Sequence, residues 1–437
     1  FEKILAGTAY TGTMTNTKHF NVHPGGQVKG RIRVPGDKSV SHRSIMLGAL
    51  AQGTTHISGF LEGEDAMATL QAFRDMGVVI EGPDDGKVVV HGVGLRGLQP
   101  PPGPLYVGNS GTTIRLMAGL MAGQKFDVEL SGDVSLNKRP MERVATPLRL
   151  MGAVVDTAEG GCPPMRIKGG QALQGIHYDL PMASAQVKSC VVLAGLYAQG
   201  RTSVTEPAPT RDHTERMLKG FGYAVERTSD TCAIIGQGAL IATDIDVPSD
   251  ISSATFFLVA AAICPASDLV VEHVGMNPTR VGVINILRLM GADLTVLNER
   301  EVGGEPVADL HVKYSPLTGI RVPEDQVPLA IDEFPALMVA AACASGTTTI
   351  TGAEELRVKE SDRIQAMVDG LKAMGVTIEG TTDGAIIQGM GPNQHFSSAQ
   401  VVTHHDHRIA MAFTIAGLRA DANIKILDCA HVATSFP

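Results

Sequence analysis

Residues 116–132 read LMAGLMAGQKFDVELSG, and residues 141–156 read MERVATPLRLMGAVVD. The first stretch is an Ala/Leu-rich helical run that stops at glycine and gives way to a strand pattern. The second is an amphipathic run that closes on Met-Gly and turns into another strand. Helix, strand, helix and paired strands are thus written in one short segment. The segment recurs. It stands at 48–59 (GALAQGTTHISG) and on to Gly77, at 191–207 and 212–226, at 256–273 and 281–296, and at 336–352 and 362–379. A sixth copy opens at Arg408 with IAMAFTIAGLRADANIKILD and breaks off. Gly77, Gly152, Gly222, Gly291 and Gly375 stand where each second helix has to end, as left-handed C-caps.

Each copy reads as a βαβαββ unit. One such unit cannot cover both its sheet and its helices, so copies must pack together. Six copies predict an α/β protein of two lobes with three units each. Val34-Pro35-Gly36-Asp37 precedes the first copy and Val247-Pro248-Ser249-Asp250 the fourth. These two Val-Pro punctuations mark crossings between lobes. They divide the chain into a leader at 1–18, a discontinuous lobe of 19–34 plus 249–437, and a continuous lobe of 35–248. The Thr-rich leader, Thr8 to Thr17, reads as a linker or the tail of an upstream segment. A cleft is where ligands usually bind, so the site is expected between the lobes.

Composition narrows the function. The net charge of −9, from 36 basic and 45 acidic residues, argues against a nucleic-acid surface. Six scattered cysteines, at 162, 190, 232, 264, 343 and 429, form no CxxC pair, so neither a zinc site nor a disulfide framework is indicated. A reducing cytoplasm fits. The longest apolar run, Phe256 to Cys264, is too short for a membrane span of about 20 residues. With 4% aromatic residues and no Trp, the core must be aliphatic.

Polar residues collect where the repeated helices begin. Pro35-Gly36-Asp37-Lys38-Ser39-Val40-Ser41-His42-Arg43 brings a lysine, a hydroxyl and an arginine to one helix N-terminus, where free N–H groups already favour an anion. Read as plain structure, Ser39 or Ser41 caps the helix there. Gly108-Asn109-Ser110-Gly111-Thr112-Thr113-Ile114-Arg115 and Asn137-Lys138-Arg139-Pro140 open further helices, as do Ser184-Ala185-Gln186 and Thr210-Arg211-Asp212-His213. In the second half, Asp332 and Glu333 precede an apolar helix, where an Asp is also a common N-cap. Leu356 to Arg363 is the densest charge cluster, and His404-His405-Asp406-His407-Arg408 precedes the sixth helix. No metal is expected at that histidine run, because no His pair stands at i, i+4 on an established helix. Several cations at equivalent helix starts suit a ligand, or two ligands, with several negative charges.

The set PGDKSVSHR, GNSGTTIR, KRP, SAQ, TRDHTE, IDEFP, RVKESDR and DHR, in this order, closely resembles the 5-enolpyruvylshikimate-3-phosphate synthases. The resemblance runs from about residue 19 to the end. It implies two lobes, each of three βαβαββ units around a pseudo-threefold axis. It also implies transfer of the enolpyruvyl group of phosphoenolpyruvate to the 5-hydroxyl of shikimate 3-phosphate with release of phosphate, in aromatic amino acid biosynthesis, without metal or organic cofactor. By resemblance, Lys38, Ser39 and Arg43 hold shikimate 3-phosphate, and Lys38 also reaches phosphoenolpyruvate. Ser184, Ala185, Gln186, Arg211 and Lys359 match further positions around the shikimate ligand. Gly111, Arg139, Arg363 and Arg408 match positions around phosphoenolpyruvate, with Asn109 beside them. Asp332 matches the proton acceptor at the 5-hydroxyl and Glu360 the group that handles the methylene proton. Both substrates carry a phosphate and a carboxylate, so bringing them together requires several cations, best as Arg forks. Lys359 and Arg363 flank Glu360 and favour its charged form, so substrate anions must offset them before it donates a proton.

Ala185 stands where many members have a second Ser. SAQVKS and TRDHTE resemble a bacterial subgroup noted for glyphosate tolerance, yet Gly111 stands where an added methyl goes with tolerance, so glyphosate is expected to compete with phosphoenolpyruvate. HVATSFP at the end lacks a Lys that many members carry, which removes one expected phosphate contact. A monomer is expected. Two alternatives stay open. A sister family acts on a UDP-sugar through a Cys that the loop Ser131 to Pro140 lacks. A non-catalytic binding module of a fused polypeptide is the other.

Overall fold

The computed structural model describes residues 18–437, so the expected leader lies outside the described residues up to position 17. Lys18 offers its carbonyl to the N–H of Cys429 at 2.7 Å. The chain forms two units. The middle unit is Gly36–Pro248 together with Glu301–Glu305, and the terminal unit comprises the residues through Pro35, Ser249–Arg300 and Pro306–Pro437.

Three sheets belong to each unit. The second copy shows the pattern complete. Strand Leu105–Tyr106, helix Gly111–Ala122, strand Val128–Ser131, helix Glu142–Leu150 and strands Val154–Ala158 and Cys162–Lys168 follow in order. The first two strands pair in parallel and the last two are added antiparallel. The third copy repeats this from His177–Asp179 to Thr231–Ile235. In the first copy, the parallel edge beside Ala51–Ser58 is supplied by Leu240–Ile241 and Ile245–Asp246 from the far end of the unit. In the fourth, Lys29–Ile32 fills the same place beside Asp268–Gly275. The fifth uses isolated bridges at Thr318 and Arg321. The sixth copy, which breaks off in the sequence, is completed by the N-terminal strand Phe20–Val22, antiparallel to Ile424–Leu427.

The first helix of each copy is the inner one. Every residue of Ile251–Ile263 and of Phe334–Cys343 is buried, as an apolar stretch without a polar face requires. In the terminal unit the three inner helices, with His407–Gly417, touch one another pairwise. In the middle unit Gly111–Ala122 packs on Ala185–Gly195 and on Lys38–Leu50. Gly119 permits the closest approach, since a β-carbon there would stand 2.2 Å from the Cys190 carbonyl oxygen.

The second helices end as expected. Gly77, Gly152, Gly222, Gly291 and Gly375 have φ of 85°, 96°, 77°, 90° and 86°. Each donates to the carbonyl three residues back, at Arg74, Arg149, Lys219, Arg288 and Lys372, and the next residue donates five back, which is a Schellman closure made five times. The residue three before each glycine is basic every time, a cation on the negative end of the helix dipole. Arg74, Arg149 and Arg288 reach on to the carbonyls of Ile80, Val155 and Leu294 and tie the helix to its following strand.

The polar residues of the inner helices stand mostly in their first two turns, and the later turns are apolar. Their caps are Asp37, Ser110, Ser184, Asp250 and Asp406, each accepting from an N–H two or three residues on. Asp37, not Ser39 or Ser41, caps the first helix. It accepts from Val40 N–H at 2.9 Å, while Ser41 Oγ accepts from Leu61 N–H. Asp332 is not a cap either. The helix Phe334–Cys343 starts at Glu333 without a side-chain cap, which leaves the Asp332 carboxylate to other partners.

Candidate active site

In the middle unit the motif residues form one bonded network. Lys38, the first residue of its helix, pairs with the buried Asp65. Arg43, one turn later, is buried, and its Nε donates to Thr214 Oγ1 at 2.8 Å, Nη2 to Ser189 Oγ at 3.1 Å and Nη1 to the Ser39 carbonyl at 3.0 Å. Burial lowers its pKa to about 10, against the opposing pull of Glu215 and Asp37, and the charge of Arg211 adds to the lowering. His42 is wholly buried, with Nδ1 2.8 Å from Thr69 Oγ1. Burial lowers its pKa to about 3, outweighing Asp65, with Lys38 and Arg43 pushing the same way as burial. Thr69 bonds Thr113, and Thr113 bonds the helix cap Ser110 at 2.6 Å. This hydroxyl chain ties the Lys38 helix to the Gly111 helix.

Asn109 accepts from Arg139 Nη2 at 2.6 Å and donates to Asp133 Oδ2 at 2.7 Å. The bare α-carbon of Gly111 lies against two guanidiniums, for a methyl there would meet Arg115 Nη1 at 2.8 Å and Arg139 Nη1 at 3.2 Å. Gln186 accepts from Arg115 at 2.7 Å and donates to Thr112 at 3.1 Å. Ser184 caps the helix that begins at Ala185, and Arg211 stands half-buried in the turn before His213–Gly220.

In the terminal unit the network is acidic as well as basic. Arg363 is 1% exposed and donates to Asp406 at 2.8 Å, to Asp332 at 3.1 Å and to Glu360 at 2.6 Å. Burial alone would lower its pKa, but Asp406, Glu360 and Asp332 together raise it. Asp406 shows the mirror effect. Burial pushes its carboxyl up, yet Arg363 holds it below the ordinary value. Asp332 has three cations around it, Arg363 at 3.1 Å, Lys359 at 3.7 Å and Arg408 at 3.8 Å. Arg408 also donates to the Asp332 carbonyl at 3.1 Å. Among the described residues no group of three His, Cys, Asp or Glu is placed to hold a metal ion. His404 and His405 take positive φ of 52° and 60° in the turn before Asp406.

Sequence reasoning named Glu333 only as a carboxylate before a helix and passed over the other groups that hold these side chains. Glu333, 1% exposed, bonds Ser252 and lies 3.6 Å from Arg280 and 3.9 Å from Arg408. Arg280 in turn donates to Ser252 at 2.6 Å and faces Asp250 at 3.3 Å. Asp250 was visible only as punctuation, although its place before the fourth inner helix matches that of Asp37 before the first. Asp65 carried no motif, and Thr214 and Ser189 stood in TRDHTE and SAQVKS without a role of their own.

Known proteins resemble this chain over nearly its whole length. The EPSP synthase (3-phosphoshikimate 1-carboxyvinyltransferase) family model matches residues 22–437. A 3-phosphoshikimate 1-carboxyvinyltransferase of Hydrogenovibrio crunogenus is 63% identical over 97% of this chain and 96% of its own. One of Methylococcus capsulatus is also 63% identical, over 96% and 95%. A solved EPSP synthase of Acinetobacter baumannii superposes with a TM-score of 0.89 at 62% identity, covering 96% of both chains. Sequence motifs, six-copy architecture and full-length similarity converge, and the chain belongs to the EPSP synthase (3-phosphoshikimate 1-carboxyvinyltransferase) family.

Proposed function

We propose that the two clusters share out the family's reaction, in which the enolpyruvyl group of phosphoenolpyruvate is transferred to the 5-hydroxyl of shikimate 3-phosphate and phosphate leaves. In this reading Lys38, Ser39, Arg43, Ser184, Ala185, Gln186, Arg211 and Lys359 take shikimate 3-phosphate. Gly111, Arg139, Arg363 and Arg408, with Lys38 and Asn109, take phosphoenolpyruvate. Asp332 accepts the proton of the 5-hydroxyl as it attacks the enol carbon. Glu360 delivers a proton to the methylene and removes one when phosphate departs, so the two carboxylates have opposite duties in each half of the reaction.

The observation that carries this assignment is the Asp332 carboxylate amid Arg363, Lys359 and Arg408. It is not spent on capping a helix, and cations beside it suit a place where anionic substrates react. The test is phosphate release from the purified protein with both substrates. Asp332→Asn should lower kcat roughly 10²- to 10⁴-fold, the usual worth of a general base, while calorimetric affinity for shikimate 3-phosphate stays. Undiminished release in that variant removes Asp332 from the role.

Glyphosate is proposed to compete with phosphoenolpyruvate at the Gly111 and Arg139 end. Inhibition absent at millimolar concentration refutes this. A monomer in the cytoplasm completes the reading. Six free cysteines, five of them buried, fit a reducing compartment, and no helix among the described residues is long and apolar enough to cross a membrane.

A further inference from the structure

Arg43 is 5% exposed, yet its three hydrogen bonds all end on uncharged oxygens, Thr214 Oγ1, Ser189 Oγ and Ser39 O. A guanidinium has five N–H donors. Two therefore remain, one on each terminal nitrogen, available to the oxygens of a carboxylate or a phosphate. Thr214 Oγ1 and Ser189 Oγ stand 2.8 Å apart, so one hydroxyl donates to the other while both accept from Arg43. These hydroxyls are not free to wander. Ser189 follows Lys188 and Thr214 precedes Glu215, and Lys188 Nζ pairs with Glu215 at 2.9 Å and with Glu206 at 3.0 Å. Lys188 is 1% exposed and the two glutamates no more than 6%. Arg227 lies 3.3 Å from the same Glu215 oxygen. The ion cluster pins helices Ala185–Gly195 and His213–Gly220 together at the residues next to the two hydroxyls. It also matches the charge of Glu215 with Lys188 and Arg227.

We propose that Thr214, seconded by Ser189, is the positioning residue for Arg43. The hydroxyl pair orients the guanidinium without neutralising it, and Lys188, Glu206 and Glu215 form the mount that holds the pair in place. The two remaining N–H groups of Arg43 then meet an anionic group of shikimate 3-phosphate. This rests on the assignment of Arg43 to that substrate made above.

The experiment measures calorimetric affinity for shikimate 3-phosphate and steady-state kinetics in Thr214→Val, Thr214→Ser, Ser189→Ala and Arg43→Gln. Thr214→Val should weaken shikimate 3-phosphate about tenfold, the worth of a hydrogen bond to a charged group, with kcat at saturating substrates little changed. Thr214→Ser should bind within about twofold of the parent, since it keeps the oxygen. Ser189→Ala should fall between them. Parent-like affinity in Thr214→Val, beside a loss in Arg43→Gln, overturns the positioning role alone. So does a Thr214→Ser variant as weak as Thr214→Val. Parent-like affinity in Arg43→Gln overturns the substrate assignment and the positioning role together. Should Thr214→Val not fold, Ser189→Ala decides, and unchanged affinity there overturns the proposal.

Discussion

Arg43 in the middle unit and Arg363 in the terminal unit are equally hidden from water and electrostatically opposite. Arg43 meets only hydroxyls and a carbonyl, and burial depresses its pKa. Arg363 meets three carboxylates, which raise its pKa in spite of burial. A buried charge is tolerated when it is paired, and one without a carboxylate partner is costly until an anion meets it. The difference separates two jobs that the same residue type performs at different places in the repeat, Arg43 within an inner helix and Arg363 at the start of a second helix. In the function proposed above, Arg43 turns its two remaining N–H groups to a ligand anion. The other is a brace that gathers Asp332, Glu360 and Asp406 into one group, and in the proposed function it also faces phosphoenolpyruvate.

The largest effect should come from removing the brace. Arg363→Met strands three carboxylates and should cost about 3–5 kcal/mol of stability, read as a fall in the calorimetric Tm. Arg43→Met strands only hydroxyls and should cost about 1–2 kcal/mol, with its main loss in shikimate 3-phosphate affinity. Equal stability losses would break the comparison.

Acid should separate the units next. The folded pKa of His42, about 3, lies below its unfolded value near 6.5. Such a group gives its full stability above the unfolded pKa and loses it as pH falls through the gap. The middle unit should therefore weaken by about 1.4 kcal/mol for each pH unit below 6.5. Asp406 in the terminal unit is also depressed, but from the ordinary carboxylate value, so its contribution is present above about pH 4 and lost only below it. Urea unfolding followed by hydrogen exchange in each unit from pH 3.5 to 7.5 should show the middle unit failing first. His42→Gln should flatten its slope, and an unchanged slope would remove His42 as the cause.

Gly111→Ala is expected to act more gently. The new methyl presses on the guanidinium ends of Arg115 and Arg139, at the far ends of long side chains, which have to shift by tenths of an ångström. Steady-state kinetics should show the KM for phosphoenolpyruvate rising severalfold and glyphosate inhibition weakening with it. A methyl that leaves both unchanged would show that neither guanidinium serves that ligand.

The smallest effect tests what the units share. Gly152→Ala and Gly291→Ala place an alanine at φ of 96° and 90° with no neighbouring atom closer than 3.5 Å. Each should cost about 1 kcal/mol by backbone strain alone, and the two losses in denaturant titration should match. A marked inequality would mean that the copies are not equivalent scaffolds.

Six apolar runs, five Met-Gly or Phe-Gly stops and the residues at each helix start were legible in the chain, because periodicity, a left-handed glycine and a helix N-terminus are set by neighbours a few residues away. That reading reached the repeat, the Schellman closures and most of the polar residues named for the site. Other features had no local signature. Arg43 finds its partners 146 and 171 residues away, at Ser189 and Thr214. Arg363 finds Asp332 and Asp406 31 and 43 residues away. The sixth copy takes Phe20–Val22 from the opposite end of the chain. Asp37 rather than a serine became the cap because the helix starts at Lys38 and places Ser39 and Ser41 inside it. The chain by itself determined which helices form, where they stop and which cations they carry. Only the tertiary structure decided which cations are neutralised and which stay open, because that depends on the carboxylates and hydroxyls that packing brings within 3 to 4 Å.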